Sequence, residues 1–380
     1  MTLIDRSFKE QIVIVGIREK NQTKEDLQQD LDELTSLIDT AGAEVIGRLI
    51  QNHPTKDPTF LLSPGKVQEL ADICQVLDPD TVVFDQSLSP AQQSNLEKLL
   101  KRTAIDREAV ILDIFAQNAH SIEGKLQVEL AMLKYRLTRL SGRGVFMSRL
   151  AGGIGTRGPG ESQLESDRRR IKARISKLEK DLKALSSKHR IQRRRREKNG
   201  VFEISLVGYT NAGKSSIHRA ITNTKSAFVD SKLFSTLDAK TAHLKKYYDL
   251  PIVVSDTVGF IKKLPHNLIS AFNSTLSQIT SSDLILHIVD ASDHRSDEKI
   301  KIVRSVLNQI GAGHIQELLV LNKIDLDLLN ANALMKFYNA DAMVSAKTKI
   351  GLDHLINLIA DFYKAHCGSY SPNYNSQFIS

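Results

Sequence analysis

Three short stretches stand in a set order along this chain: Gly208-Tyr-Thr-Asn-Ala-Gly-Lys-Ser215, Asp256-Thr-Val-Gly259 and Asn322-Lys-Ile-Asp325. Each follows an apolar run, Phe202 to Val207, Ile252 to Ser255 and Leu318 to Leu321. The runs read as buried strands, each delivering a polar loop, and they place this part of the chain in the α/β class.

The chemistry of the loops follows from their residues. Gly208 and Gly213 let the first loop turn its backbone N–H groups inward around a phosphate, at the start of a helix whose dipole favours an anion. The expected phosphate cradle is Gly208, Tyr209, Thr210, Asn211, Ala212, Gly213, Lys214, Ser215 and Ser216. Lys214 reaches the β/γ oxygens as a point charge, and the Ser215 hydroxyl is the expected Mg²⁺ ligand. Asp256, followed by Thr257 and Val258, belongs near the metal through a water, while the Gly259 amide approaches the γ-phosphate.

The third loop selects the base. A carboxylate at Asp325 accepts from the N1–H and exocyclic amine of guanine, and adenine has no matching donor pair, so Asn322 and Asp325 predict GTP. Lys323 would lie along the base. Ser345-Ala346-Lys347 sits where a backbone amide meets the guanine O6, although by itself it is equally an ordinary loop.

Phe260 occupies the place, directly after Asp-x-x-Gly, where small GTPases carry a glutamine that orients the attacking water. Either it packs in a core or it does not, but it has no group with which to hold water. Slow unaided hydrolysis, stimulated by a partner surface, is therefore expected.

The net charge of +8 is unevenly spread. Residues 134–198 carry about 21 Lys/Arg against about 6 Asp/Glu, so the rest of the chain is acidic. A polyanion is the natural partner of that segment, through counterion release on phosphate neutralisation. Its leucines and isoleucines are periodic: Leu126, Leu130, Leu133, Leu137 and Leu140, then Leu164, Ile171, Ile175, Leu178, Leu182 and Leu185. These are a/d seams, and they predict an antiparallel helical hairpin whose second helix has roughly 34 residues. The glycine-rich stretch 141–161 between them is expected to be the turn. Arg143, Arg149 and Arg157 on that tip suit phosphate contacts or base stacking, with an exposed connector as the plain alternative. Arg193 to Arg196 fit a solvated junction as well as they fit RNA.

Ahead of the hairpin, Gln11–Ile17, Glu44–Ile50 and Thr81–Phe84 read as strands. Lys24–Thr40, Gly65–Leu77 and Pro90–Leu100 read as helices, with Thr23 and Ser89 as N-caps. An α/β domain with a parallel sheet results, without a dinucleotide glycine fingerprint; Pro64-Gly65-Lys66 is only a weak anion site. The two cysteines, Cys74 and Cys367, are too far apart and too few for a disulfide framework or zinc site, and suit a reducing compartment. No secretory pattern opens the chain and no apolar run approaches the roughly 18 residues of a spanning helix. A cytoplasmic location is expected.

Four further stretches carry a resemblance: Gly152-Gly-Ile-Gly-Thr-Arg-Gly-Pro-Gly-Glu-Ser-Gln-Leu-Glu165, Asp113-Ile-Phe-Ala-Gln117, Gly124-Lys-Leu-Gln-Val-Glu-Leu-Ala131 and Asp256-Thr-Val-Gly-Phe-Ile-Lys-Lys-Leu-Pro-His266. Together they closely resemble HflX-type ribosome-associated GTPases over about residues 10–366. The resemblance implies three parts, in agreement with the residues: an N-terminal parallel α/β domain (1–124), a basic helical hairpin with a glycine-rich loop (125–198) and a P-loop GTPase domain (199–366). The segment 367–380 reads as a short polar tail, so no sizeable extra terminal domain is expected. It implies GTP and GDP as ligands, Mg²⁺ as cofactor, and binding to the large ribosomal subunit and its rRNA through Arg143, Arg149, Gly152, Gly153, Gly155, Arg157 and Gly158. The implied activity is splitting of stalled or stress-inactivated ribosomes, by a chain expected to act as a monomer without integral membrane association. Thr236, in Phe234-Ser235-Thr236-Leu237-Asp238, matches the switch I threonine that completes the Mg²⁺ shell, and joins Lys214 and Gly259 as the expected catalytic set. The continuation Asp238-Ala-Lys-Thr-Ala242 departs from the family's Asp-Pro-Thr-Thr-Arg, which leaves contacts of the switch I tail open. Two other classes use some of the same features, a ribosome-assembly GTPase and a membrane-surface switch, the latter lacking the aromatic-rich apolar face it needs.

Overall fold

The structure is a computed structural model and describes residues 9–54, 56–148, 159–222, 233–234, 240–244, 250–263, 276, 278–326 and 328–367. The chain forms two compact units, 1–119 with 125–180, and 120–124 with 181–380.

In the first unit Gln11–Ile17 (β1), Glu44–Gln51 (β2), Thr81–Phe84 (β3) and Thr103–Asp106 (β4) form a four-stranded parallel sheet in the order β2-β1-β3-β4. The central strands β1 and β3 are buried almost throughout, as strands covered on both faces are. Helices Lys24–Ala41 (α1), Pro64–Leu77 (α2), Pro90–Leu100 (α3) and Arg107–Asn118 (α4) alternate with the strands. Local chemistry sets where they begin. Thr23 Oγ1 accepts from the Asp26 amide at 3.0 Å while the Asp26 carboxylate accepts from the Thr23 amide at 3.0 Å, and Ser89 and Gln92 repeat this reciprocal cap with Pro90 at the first helical position. The predicted elements here agree to within one residue at each end; β4 and α4 are additional.

The hairpin helices are Ile122–Ser148 (α5) and Pro159–Lys198 (α6). Ion pairs join them at Glu129–Arg174 (2.7 Å) and Lys134–Glu179 (2.8 Å). A parallel pairing at those positions would put Pro159 about level with residue 114, roughly 50 Å along the axis from Ser148, beyond the reach of about eleven extended residues. The helices are therefore antiparallel. Their seam buries Leu130, Ile175 and Leu178 and leaves the other described seam residues partly exposed, because two helices alone cannot enclose a seam.

The predicted turn over 141–161 is too long. α5 continues through Gly142 and Gly144, and α6 starts at Pro159 with 40 residues rather than 34. Each helical glycine costs about 1 kcal/mol against alanine, but extending an existing helix adds a hydrogen bond per residue without a new nucleus, so two isolated glycines do not stop it.

The second unit has a six-stranded sheet built from Phe202–Gly208 (β5), Lys240–His243 (β6), Ile252–Asp256 (β7), Leu284–Asp290 (β8), Glu317–Asn322 (β9) and Ala342–Met343 (β10). Its order is β10-β9-β8-β5-β7-β6, parallel except for β6 against β7. Helices Lys214–Ile221 (α7), Ser296–Gln309 (α8), Leu328–Tyr338 (α9) and Leu352–Cys367 (α10) accompany it. The core of Ile204, Leu206, Val254, Leu286, Ile288 and Val320 locks these strands side by side, so their carboxyl ends present Gly208, Asp256, Asp290 and Asn322 at one edge.

Candidate functional site

The loop from Gly208 to Gly213 joins β5 to α7. Gly213 has φ +91°, and a Cβ there would stand 2.2 Å from Asn322 Nδ2, so both the turn and the neighbouring strand end require glycine. Lys214 opens α7 and folds its side chain back over the loop, donating to the carbonyls of Gly208 (3.1 Å) and Tyr209 (2.8 Å). It is 7% exposed, and burial pushes its ammonium down to about 8 despite the opposing pull of the Asp256 carboxylate. Ser215 and Ser216 follow in the first turn.

Gly259 is drawn against this loop: a Cβ there would lie 3.0 Å from Lys214 Nζ and 2.9 Å from Thr210 Cγ2. The next residue continues the contact. The Phe260 amide donates to Gly208 O at 3.1 Å and its carbonyl accepts from the Thr210 amide at 2.7 Å, so the second motif is stitched to the first by a short parallel bridge. The Phe260 side chain is 2% exposed. The Tyr209 hydroxyl accepts from the Lys262 amide at 2.7 Å, and the Lys299 ammonium lies 4.6 Å from its ring centre. Thr257 is buried and donates to Leu206 O at 2.6 Å, and Val258 is buried beside it.

Asp256 ends β7 in a buried position, and Ser215 stands in the first turn of α7. Carboxylate and hydroxyl oxygens are the hard donors Mg²⁺ takes, and no cluster of three His, Cys, Asp or Glu side chains competes among the described residues. The donor set fits a metal held by one or two protein oxygens together with phosphate and water.

At the β9 end lies a pocket of about 690 Å³. Asn322 donates to Ala212 O at 2.8 Å and accepts from the Ala346 amide at 3.2 Å, joining the phosphate loop, its own strand end and the Ser345-Ala-Lys loop. Lys323 pairs with Asp290 at 2.7 Å, which holds its stem along the pocket wall. Asp325 accepts from Ser345 Oγ at 2.6 Å, and Ser345 Oγ in turn accepts from the Thr348 amide at 3.1 Å, so the Ser-Ala-Lys loop orients the carboxylate. Lys347 lines the same pocket. Sequence reasoning omitted Arg219, Ala220, Leu326 and Lys349, which also line it, and Asp290, which aligns Lys323. Helical spacing from Ser216 carried the signal for Arg219 and Ala220.

Phe234 is buried with φ +55°, whereas Ser235, Thr236 and Leu237 lie outside the described residues. So do Arg149, Gly152, Gly153, Gly155, Arg157 and Gly158, while Arg143 sits on the helical backbone of α5 rather than in a loop. Arg196 pairs with Glu203 at 3.0 Å and its carbonyl accepts from the Val201 amide, so it joins α6 to β5.

A largely parallel sheet whose central strand feeds a glycine loop and a helix N-terminus, with Asn-Lys-x-Asp at a nearby strand end, defines a P-loop domain of the GTPase class. Comparison with known proteins narrows this. Three family models match in succession, "GTP-binding GTPase N-terminal" over 28–116, "GTP-binding GTPase Middle Region" over 118–196 and "50S ribosome-binding GTPase" over 203–323. The chain is 45% identical over 351 residues to the GTPase HflX of Caldanaerobacter subterraneus subsp. tengcongensis, covering 92% of this chain and 80% of that protein. It is 42% identical over 317 residues to the GTPase HflX of Escherichia coli K12, covering 83% and 74%. The chain belongs to the HflX family of GTPases. A crystal structure of an SsGBP–GDP complex shares the fold at 22% identity and a TM-score of 0.51, over 94% of this chain and 99% of that one.

Proposed function

We propose that this GTP hydrolase binds the large ribosomal subunit through its basic hairpin and splits stalled or stress-inactivated ribosomes, with hydrolysis releasing it. The observation that carries the reading is the junction at Arg196. The basic helix α6 ends at Lys198, and the Arg196–Glu203 pair fastens that end to β5, the strand that runs into the phosphate loop. A basic helix whose last turn is paired to the strand that feeds the phosphate loop is what a nucleotide-timed RNA contact requires. The printed description of the family model over 203–323, a 50S ribosome-binding GTPase, supports the same partner.

In this reading the α/β domain, the hairpin and the G domain divide at about residues 124 and 198. Gly208 to Ser216 hold the phosphates, with Lys214 on the β/γ oxygens and the Gly259 amide on the γ-phosphate. Phe234 to Leu237 and Asp256 to Val258 line the phosphate side. Asn322, Lys323, Asp325 and Ser345 to Lys347 hold guanine. Ser215, Thr236 and, through water, Asp256 would hold Mg²⁺, which when bound neutralises charge on the β/γ oxygens. Arg143, Arg149, Arg157 and the glycines 152, 153, 155 and 158 contact rRNA. Hydrolysis is slow alone and stimulated by the ribosome, since Phe260 supplies no group to orient water. Among the described residues no helix is long and apolar enough to cross a membrane, and a cytoplasmic, partly ribosome-associated location is proposed.

The test is sedimentation of the chain with intact ribosomes and with separated subunits under GTP, a non-hydrolysable analogue, GDP and no nucleotide. Conversion of intact particles to subunits under GTP or the analogue is expected. Binding to free subunits without conversion would replace this reading with subunit assembly. Removing charge at Arg143, Arg149 and Arg157 together should weaken ribosome binding with nucleotide affinity intact.

A further inference from the structure

A cavity of about 560 Å³ lies wholly within the first unit, walled by α3, α5 and α6. It shares no residue with the nucleotide pocket. One wall is rigid. Arg139 donates to Asp106 at 2.6 Å and to Gln93 at 3.0 Å, and its guanidinium lies 3.4 Å from the centre of the Tyr135 ring. The Tyr135 hydroxyl donates to the other oxygen of Asp106 at 2.9 Å. Asp106 is 1% exposed and also accepts from the amides of Leu88 (3.1 Å) and Ala109 (3.2 Å), so the carboxylate holding this wall is fully engaged. The stacked pair of Arg139 and Tyr135 lines the cavity.

The other walls differ in character. Leu140 and Ile171 are half-buried and apolar, whereas Arg136 and Arg170 are exposed at the rim. Two carboxylates also line it: Glu97 accepts from Gln93 at 3.0 Å, and Asp167 stands 3.9 Å from Arg170. Arg136 has no ion-pair partner among the described residues. A slot lined by a stacked Arg–Tyr pair, with apolar Leu140 and Ile171 and guanidinium groups at its mouth, suits a planar ring carrying an anionic group. An uncharged ligand would leave the rim guanidinium groups of Arg136 and Arg170 unused.

We propose that this cavity is a second ligand site, for a small planar aromatic anion bearing a carboxylate, sulfonate or phosphate, and that its occupancy clamps the hairpin to the α/β sheet domain. The clamp follows from the walls, since a ligand there touches one sheet-domain helix and both hairpin helices. Binding itself is independent of the proposed ribosomal role, so the two readings fail separately.

The probe is 8-anilinonaphthalene-1-sulfonate, titrated by fluorescence against the full chain saturated with GDP. One saturable site is expected. Arg136→Glu combined with Arg170→Glu should weaken it about tenfold or more, while Ser94→Trp, which fills the cavity from α3, should remove it. GDP affinity should be unchanged in all variants, and hydrogen exchange across residues 125–140 should slow when the probe is bound. No saturable binding, or binding indifferent to the double arginine variant because the probe sits on apolar surface elsewhere, overturns the site. Binding as expected with unchanged hydrogen exchange overturns the clamp.

Discussion

The side-chain amide of Asn322 donates to the carbonyl of Ala212 at 2.8 Å, and its oxygen accepts from the Ala346 amide at 3.2 Å. One carboxamide thus sets the distance between the phosphate loop and the base pocket. Asn322→Ala leaves a buried carbonyl and a part-buried N–H without their partner, at about 1–3 kcal/mol each. Affinity for GDP and GTP should fall together by roughly 30- to 100-fold in a fluorescent-nucleotide titration. Asn322→Asp should do no better, because it cannot donate to Ala212. A change smaller than about threefold in either nucleotide would show that the loops hold their spacing without the staple.

Phe260 gives a second prediction. Its backbone is bonded on both sides to the phosphate loop and its ring is buried, so the side chain at this position points into the core and not at a water. Replacing it with the glutamine of small GTPases should therefore not restore unaided turnover. Phe260→Gln buries a carboxamide and loses ring packing, at about 2–3 kcal/mol. The melting midpoint should drop while the single-turnover hydrolysis rate without a partner stays within about threefold. A rise of about tenfold or more would mean that the side chain swings out to the γ-phosphate.

The sequence was legible where local chemistry decides. Thr23, Ser89 and Pro90 announced helix starts, and the apolar runs before Gly208, Asp256 and Asn322 announced strands, because caps and buried parallel strands carry their signal within a few residues. β4 was not legible: Thr103-Ala-Ile-Asp has only two apolar residues, and its place is fixed by pairing with β3. The extent of α5 is not legible from glycine content, because the cost of two isolated glycines is smaller than the gain of continuing a long helix. In the site, residue identities were legible and their mutual bonds were not. Nothing in the sequence states that Tyr209 faces Lys262, or that Asp290 aligns Lys323, since both contacts join loops brought together by the sheet.

The Tyr135–Asp106 bond makes a third prediction, about the arm. Burial and the neighbouring carboxylate push the Tyr135 phenol well above its ordinary value, so it remains a protonated donor at every working pH. Tyr135→Phe removes one bond to a charged acceptor, at about 1.5–3 kcal/mol. Hydrogen exchange along residues 125–140 should accelerate, with GDP affinity unchanged. Unaltered exchange would mean that Arg139 alone anchors the helix to Asp106.

Lys214 links the phosphate site to pH. Burial lowers its ammonium from the ordinary 10.5 to about 8, so between those values the unfolded chain binds more protons than the folded one, and stability should rise as pH climbs through that window. Nucleotide phosphates favour the charged ammonium and raise its pKa again. Binding must then take up a proton, and affinity should fall as pH rises above about 8, approaching one log unit per pH unit. Guanine and phosphate ionisations also contribute, so the comparison is with Lys214→Arg, whose guanidinium stays charged throughout. Calorimetry of GDP binding in two buffers of different ionisation heat, at pH 8.5, should give greater proton uptake in the natural chain than in the arginine variant. Equal uptake in the two would mean that Lys214 is already fully charged before the nucleotide arrives.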